Sequence, residues 1–194
     1  MAKNDQQEAY EKLLSATLSR TIDFVKFAEA KNAALLTFSS AWILASVNLS
    51  ATATSTGWRQ AFGLALPLFV VSALISILSF LPQIKLAKFH RDPSRAKSLL
   101  FFGDAAEFSP ESYRDRMAER YTPPENESAT KNQLDDLAVQ INVNSKIAVR
   151  KFRIFAVGAW IALSAIGILV VPALIGFWAS LPLVYAAAKT MLGF

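Results

Sequence analysis

Residues 154–188 read IFAVGAWIALSAIGILVVPALIGFWASLPLVYAAA, 35 consecutive positions without a charge. As one helix rising ~1.5 Å per residue this run would be about 52 Å long, against a bilayer hydrocarbon core about 30 Å thick. A single upright span does not use that length, and two full spans with a turn need slightly more. Pro172, Gly176 and Pro182 offer break points. The expected arrangement is a span over residues 154–175 followed by a short membrane-embedded or interfacial segment, with a fourth, short span as the alternative.

Working outward, two more uncharged runs precede this one. Residues 33–49, AALLTFSSAWILASVNL, number 17, and residues 62–81 supply 20 more, including Pro67. The small-residue stretch 50–57 reads as a turn between them, Trp58 as an interfacial aromatic and Pro82 as the far end. Composition agrees with a membrane protein: 53% of the 194 residues are hydrophobic and 18% charged, below the roughly 25% charged of an ordinary soluble domain. The fold class expected is an all-α integral membrane protein, with long helices extending from the membrane into a small cytosolic helical bundle. Residues 1–32 form a cytosolic amphipathic helix, 33–81 a transmembrane hairpin, 82–153 a cytosolic helical segment and 154–194 the C-terminal transmembrane segment.

The polar segments carry their own patterns. Tyr10, Leu14, Leu18, Ile22 and Val25 recur at helical spacing among charges, and no Pro or Gly separates them from residues 33–49, so one helix continues from the polar start into the first span. Ser109-Pro110-Glu111 is a helix start, with Ser as N-cap and Pro in the first turn, predicting a helix over residues 110–120. TPPENESAT, residues 122–130, reads as a loop. From Lys131, the set Leu134, Leu137, Ala138, Ile141, Ser145, Ala148 and Phe152 lies on one helical face leading into the membrane.

Charge sets the expected topology. Residues 1–31 and 82–153 hold 18 of the 20 Lys and Arg, while the turn between the first two spans has only Arg59, so the middle segment is expected in the cytoplasm. Lys189 would lie outside with three spans and inside with four. The basic stretches KLAKFHRDPSRAK, residues 85–97, and KIAVRKFR, residues 146–153, border the apolar runs, which favours anionic lipid over nucleic acid as their partner.

Enzymatic chemistry has no visible carrier. The chain has no Cys and one His, His90, which sits just past the second span as an interfacial residue. Asp135 and Asp136 are adjacent and diverge by about 100° on a helix, so they do not assemble an acid–base pair. No cofactor and no metal are expected. The cations Arg91, Arg95, Lys97, Arg114 and Arg116 are candidates for an anionic ligand or lipid headgroups. Arg114, Arg116 and Arg120 lie on the predicted short helix, where a solvated face is the simpler reading and anion binding together with Arg91, Arg95 and Lys97 the sharper one. FFGDAAEFSPESYR, residues 101–114, is loosely similar to the phosphate-binding cassette of cyclic-nucleotide domains. The chain lacks the alternating strands of that β-roll, so a turn packing two phenylalanines is the simpler reading.

Three segments taken together, FAEAKNAALLTFSSAWI (27–43), LLFFGDAAEFSPESY (99–113) and LDDLAVQINVNSKIAVRKFRIF (134–155), resemble the transmembrane effector family of Pycsar-type bacterial anti-phage systems. The most specific positions are Lys31 and Asn32, Phe101, Phe102 and Gly103 with Tyr113, and Gln140 and Ile141 with Lys151 and Phe152. The resemblance implies a multi-pass protein of the bacterial inner membrane that impairs the membrane when a cyclase makes a cyclic nucleotide such as cyclic UMP or cyclic CMP, causing abortive infection. A nucleotide cyclase is then the functional partner, and a homo-oligomer in the bilayer the expected assembly. The competing reading is a non-enzymatic anchor or scaffold that recruits a cytosolic partner. A transporter is weaker, because no ionisable residue lies inside the three apolar runs.

Overall fold

The computed structural model describes residues 2–81, 99–100, 105–125, 127 and 129–191, with the side chains of residues 2–4 and 183–191 left out of the account. The described residues form the helices α1 (Ala2–Thr52), α2 (Thr56–Leu78), α3 (Pro110–Tyr121) and α4 (Lys131–Met191), and no strand occurs among them. Helices α1, α2 and α4 are long and apolar enough to cross a membrane. The chain divides into a polar unit, residues 1–28 and 81–151, and an apolar unit, residues 29–80 and 152–194.

In the apolar unit the buried positions follow a period of 3.5. On α1 they include Asn32, Leu35, Ser39 and Ser46; on α2, Phe62, Ala65, Phe69, Ser72 and Ser76, flanked by buried Ala61 and Ala73 and followed by the cap residue Ser79; on α4, Gly158, Ala162, Ala165 and Leu169. Steps of three and four along each helix are the signature of knobs-into-holes packing with left-handed supercoiling. The apolar half of this interface is a cluster of Leu35, Ala61, Phe62, Ala65, Phe69, Ala162, Ala165 and Leu169. Trp42 stacks on Phe69 at 5.7 Å, with Phe38 edge-on to the same ring at 6.4 Å.

The other half is polar. The Ser39 hydroxyl donates to Ser72 Oγ at 3.1 Å, and the Ser72 hydroxyl donates to the carbonyl of Gly158 at 2.9 Å, so one relay ties all three helices. Gly158 keeps this approach close: a Cβ at this position would lie 3.0 Å from Leu35 Cδ2, which would have to give by a few tenths of an ångström, and 3.6 Å from the Ser72 carbonyl, an ordinary contact. Polar atoms in such an interior find partners only in one another, because hydrocarbon offers none.

The joint between α1 and α2 is shorter than the eight-residue turn expected at 50–57. α1 runs to Thr52 and α2 begins at Thr56, so Trp58 and Arg59 already belong to α2. Arg59 Nη2 donates to the Ala53 carbonyl at 3.1 Å across the turn, meeting an oxygen at the C-terminal end of α1. In the C-terminal run, α4 continues as one 61-residue helix through Pro172, Gly176 and Pro182. None of those residues folds it back, so the described residues contain three candidate spans and no fourth. Proline removes one intrahelical bond and crowds one carbonyl, which bends a helix without having to end it.

Replacing Gly158 with Leu should lower bundle stability by about 1–3 kcal/mol through overpacking. Gly167→Ala, where a Cβ meets nothing within 4 Å, should stay within about 0.5 kcal/mol of the wild type. Titrating detergent micelles with sodium dodecyl sulfate while following tryptophan fluorescence measures both.

Candidate functional site

The polar unit is assembled from the first half of α1, the short helix α3 and the first 21 residues of α4. On α1 the buried stripe follows Leu14, Thr21 and Ala28 at a spacing of seven, with Leu18 and Val25 half-buried between them. Ile22, expected inside, is exposed, as is Tyr10. The packed face keeps a 3.5-residue period, and Ile22 lies one position past it.

Helix α3 begins as its sequence dictates: the Ser112 amide donates to Ser109 Oγ at 3.3 Å, with Pro110 opening the helix. After the Pro123-Pro124 loop, Thr130 caps α4, its Oγ1 accepting from the Gln133 amide at 3.1 Å while its own hydroxyl donates to the Arg120 carbonyl at 3.3 Å. Gln133 Nε2 reaches Glu11 Oε1 at 3.0 Å, and Gln7 donates to the Ala129 carbonyl, fastening this loop to α1.

At the centre of the clasp lies Asp136, whose side chain is 9% exposed. Arg120 donates to both its oxygens, Nε to Oδ2 at 3.0 Å and Nη2 to Oδ1 at 3.2 Å, and the Tyr121 hydroxyl donates to Oδ2 as well. Such a two-point fork fixes orientation as well as charge. Burial first, then the hydrogen bond to Asp136, push the Tyr121 phenol up to about 12. Burial opposes the charge on Arg120, but its bonds to Tyr121 and Asp136 outweigh that and hold it above its ordinary value. Sequence reasoning placed Arg120 on a solvated face. The nine-residue loop after Tyr121 returns the chain so that Arg120 turns inward onto Asp136, a pairing 16 residues apart that no helical spacing reveals.

The positions that carried the family resemblance fall in three places. Tyr113 donates its hydroxyl to the Leu99 carbonyl at 2.9 Å, and Gln140 Nε2 donates to the Leu100 carbonyl at 3.3 Å. Residues from α3 and α4 thus converge on the two-residue stretch directly before Phe101, and Leu99 itself is buried. Asn144 Nδ2 in turn bonds the Gln140 carbonyl at 2.9 Å. Ile141 and Lys151 are half-buried on α4 in the same unit. In the apolar unit, Lys31 lies over the Phe155 ring at 5.2 Å, a cation–π contact, Asn32 is fully buried and Phe152 half-buried.

Of the candidate ligand cations, Arg114 and Arg116 are exposed on α3. Arg114 pairs with Asp115 at 2.8 Å on the surface, and Arg116 lies over the Phe108 ring at 5.1 Å. Arg91, Arg95 and Lys97, with His90, Phe101, Phe102 and Gly103, lie outside the described residues. Among the described residues no group of three or more His, Cys, Asp and Glu is arranged to hold a metal.

Two comparisons bear on what this arrangement serves. Residues 13–180 match the family model described as the Pycsar effector protein domain. The chain is also similar to the Pycsar effector protein RsPycTM of a Rhizobium species, 43% identical over 161 residues, which cover 82% of this chain and 91% of that protein. No solved structure matches.

The clasp makes a pH prediction. Tyr121 has a folded value above the ~10 of a free phenol, so its contribution to stability is complete below pH 10 and is lost as pH rises through about 12. Melting curves in detergent should fall more steeply between pH 10 and 12 for the wild type than for Tyr121→Phe. Asp136→Asn should lower the melting temperature more than Asp115→Asn, whose exposed pair contributes ~0–1 kcal/mol.

Proposed function

Since this chain belongs to the Pycsar effector family, a group of membrane proteins of anti-phage defence, we propose that it responds to a cyclic nucleotide such as cyclic UMP or cyclic CMP by impairing the bacterial inner membrane. The infected cell then dies before the phage is released. A nucleotide cyclase supplies the signal, several copies of the chain act together in the bilayer, and the middle segment faces the cytoplasm, as the distribution of Lys and Arg favours.

The observation that carries this reading is continuity. α1 and α4 each pass without interruption from the polar unit into the apolar unit, at Ala28–Glu29 and at Lys151–Phe152. The signal would be received in the polar unit, where Arg114 and Arg116 are exposed and Tyr113 and Gln140 hold the chain entering the Phe101-Phe102-Gly103 segment. Arg91, Arg95 and Lys97 complete the cation set by sequence. The ligand acts only through its difference in affinity for the resting and membrane-active states; shifting them from 1:99 to 99:1 takes a ratio of ~10⁴.

Membrane potential in cells that co-express this chain with an active or an inactive cyclase tests the proposal. Depolarisation with the active cyclase alone is expected, and Arg114→Ala with Arg116→Ala should raise the Kd of the purified protein for cyclic UMP or cyclic CMP at least tenfold. Cells that stay polarised under a verified nucleotide signal, with the protein in the inner membrane, would leave a membrane anchor for a cytosolic partner in its place.

A further inference from the structure

The interior of the apolar unit is polar along one line. Asn32, Ser39 and Ser46 follow one another at intervals of seven on α1, and the buried positions of α2 include Ser72, Ser76 and Ser79. The bond from Ser39 to Ser72 marks the middle of this line. Because α1 and α2 run antiparallel across a short turn, Asn32 and Ser79, each seven residues from that bond, share a second level. From Asn32 to Ser46 the line extends 14 residues, about 21 Å of helix, within a hydrocarbon core about 30 Å thick.

One member of the line has no partner. Ser46 is 1% exposed, and its hydroxyl makes no hydrogen bond among the described residues. Trp42 stacks on Phe69, which puts those two at one level. One turn further, Ser46 comes level with Ala65, and seven residues past Gly158 α4 presents Ala165. Both alanines are fully buried, and neither side chain can bond a hydroxyl. An alanine at 46 would pack there without burying an unpaired polar atom, whose desolvation nothing in the bundle offsets. Packing therefore does not account for Ser46; water entering the line would satisfy it.

The outward faces of the spans offer water less. Between residues 63 and 78 the exposed positions of α2 are Gly63, Pro67 and large apolar residues, none of them polar. On α1, Thr37, Ser40 and Asn48 are exposed, and Thr37 returns its hydroxyl to the Ala33 carbonyl at 3.1 Å. Ser164, exposed on α4, does the same to the Trp160 carbonyl at 2.9 Å. We propose that the buried line of Asn32, Ser39, Ser46, Ser72, Ser76 and Ser79 is the path of water and small ions in the membrane-active state. α1, α2 and α4 part along it, and its hydroxyls exchange their bonds to one another for bonds to water. This rests on the functional reading above and names the part of the chain through which the membrane leaks. No ionisable side chain lies on the path, so it carries no charge with which to select cations from anions.

The chain has no cysteine, so a single introduced one reports on its own position. Spheroplasts co-express an active or an inactive cyclase with full-length Ser46→Cys, with Ser76→Cys as a second buried position, or with Ser40→Cys on the exposed face of α1. They are treated with the impermeant cation 2-(trimethylammonium)ethyl methanethiosulfonate, which a hydrated thiolate attacks at sulfur, forming a disulfide and releasing methanesulfinate. Ser46→Cys should react at least tenfold faster with the active cyclase than with the inactive one, and Ser76→Cys should follow it. The ammonium left in the path should at least halve the rate of depolarisation, while Ser40→Cys should react equally under both cyclases. Equal reaction at 46 under the two cyclases overturns the proposal, as does reaction there that leaves depolarisation unchanged. A gain at Ser40→Cys alone also overturns it, because the water then runs outside the bundle. Depolarised cells in which 46 and 76 stay unreactive remove the path and keep the function; cells that stay polarised under a verified nucleotide signal remove the function and the path with it.

Discussion

The apolar unit depends on the meeting of Ser39, Ser72 and Gly158. A helix in hydrocarbon gains little by leaving lipid for another apolar helix, so association rests on close packing and on polar atoms with nowhere else to bond. Here a glycine lets α4 come near enough for its carbonyl to accept from Ser72, and Ser72 in turn accepts from Ser39. A larger residue at 158 separates the backbones; an apolar residue at 72 leaves the carbonyl without this donor. The aromatic stack of Trp42 on Phe69 and the alanines of α2 and α4 follow from the spacing this relay imposes.

The polar unit solves the opposite problem. Water competes for every bond there, so cohesion comes from a carboxylate removed from water and met by several donors at once. Asp136 accepts from Arg120 twice and from Tyr121. A buried pair of this kind contributes little over an apolar replacement, yet costs much when one partner is removed. Its value is in specifying one arrangement of α3 against α4.

Spans and helix starts were legible because each is written locally. Charge-free runs mark helices that cross a membrane, Ser109-Pro110 marks the beginning of α3, and the lack of any breaker before residue 33 marks α1 as one piece. What was not legible depends on partners distant in sequence. The burial of Thr21 in place of Ile22 reflects a 3.5-residue seam that only a neighbouring helix imposes. Serines 39, 46, 72, 76 and 79 read as ordinary small residues until the helices meet. Pro172 and Pro182 suggested breaks, but proline in a helix fixes a bend and not a direction, and α4 passes through both. The grip of Tyr113 and Gln140 on Leu99 and Leu100 joins residues 14 and 40 positions apart, beyond the reach of any periodicity.

The bonds of Gln7 to Ala129 and of Gln133 to Glu11 each span 122 residues, and that distance is also an interval of synthesis. At ~5–20 residues per second a ribosome takes about 6–25 s to produce the partner after the first residue has been made. Both hairpin helices, α1 and α2, leave the ribosome within that time. The N-terminal helix therefore waits, its inner face uncovered, until both helices of the hairpin have been made, while the apolar stretch of α4 is still to come. The partners of this clasp are thus all in hand after the second candidate span and before the third.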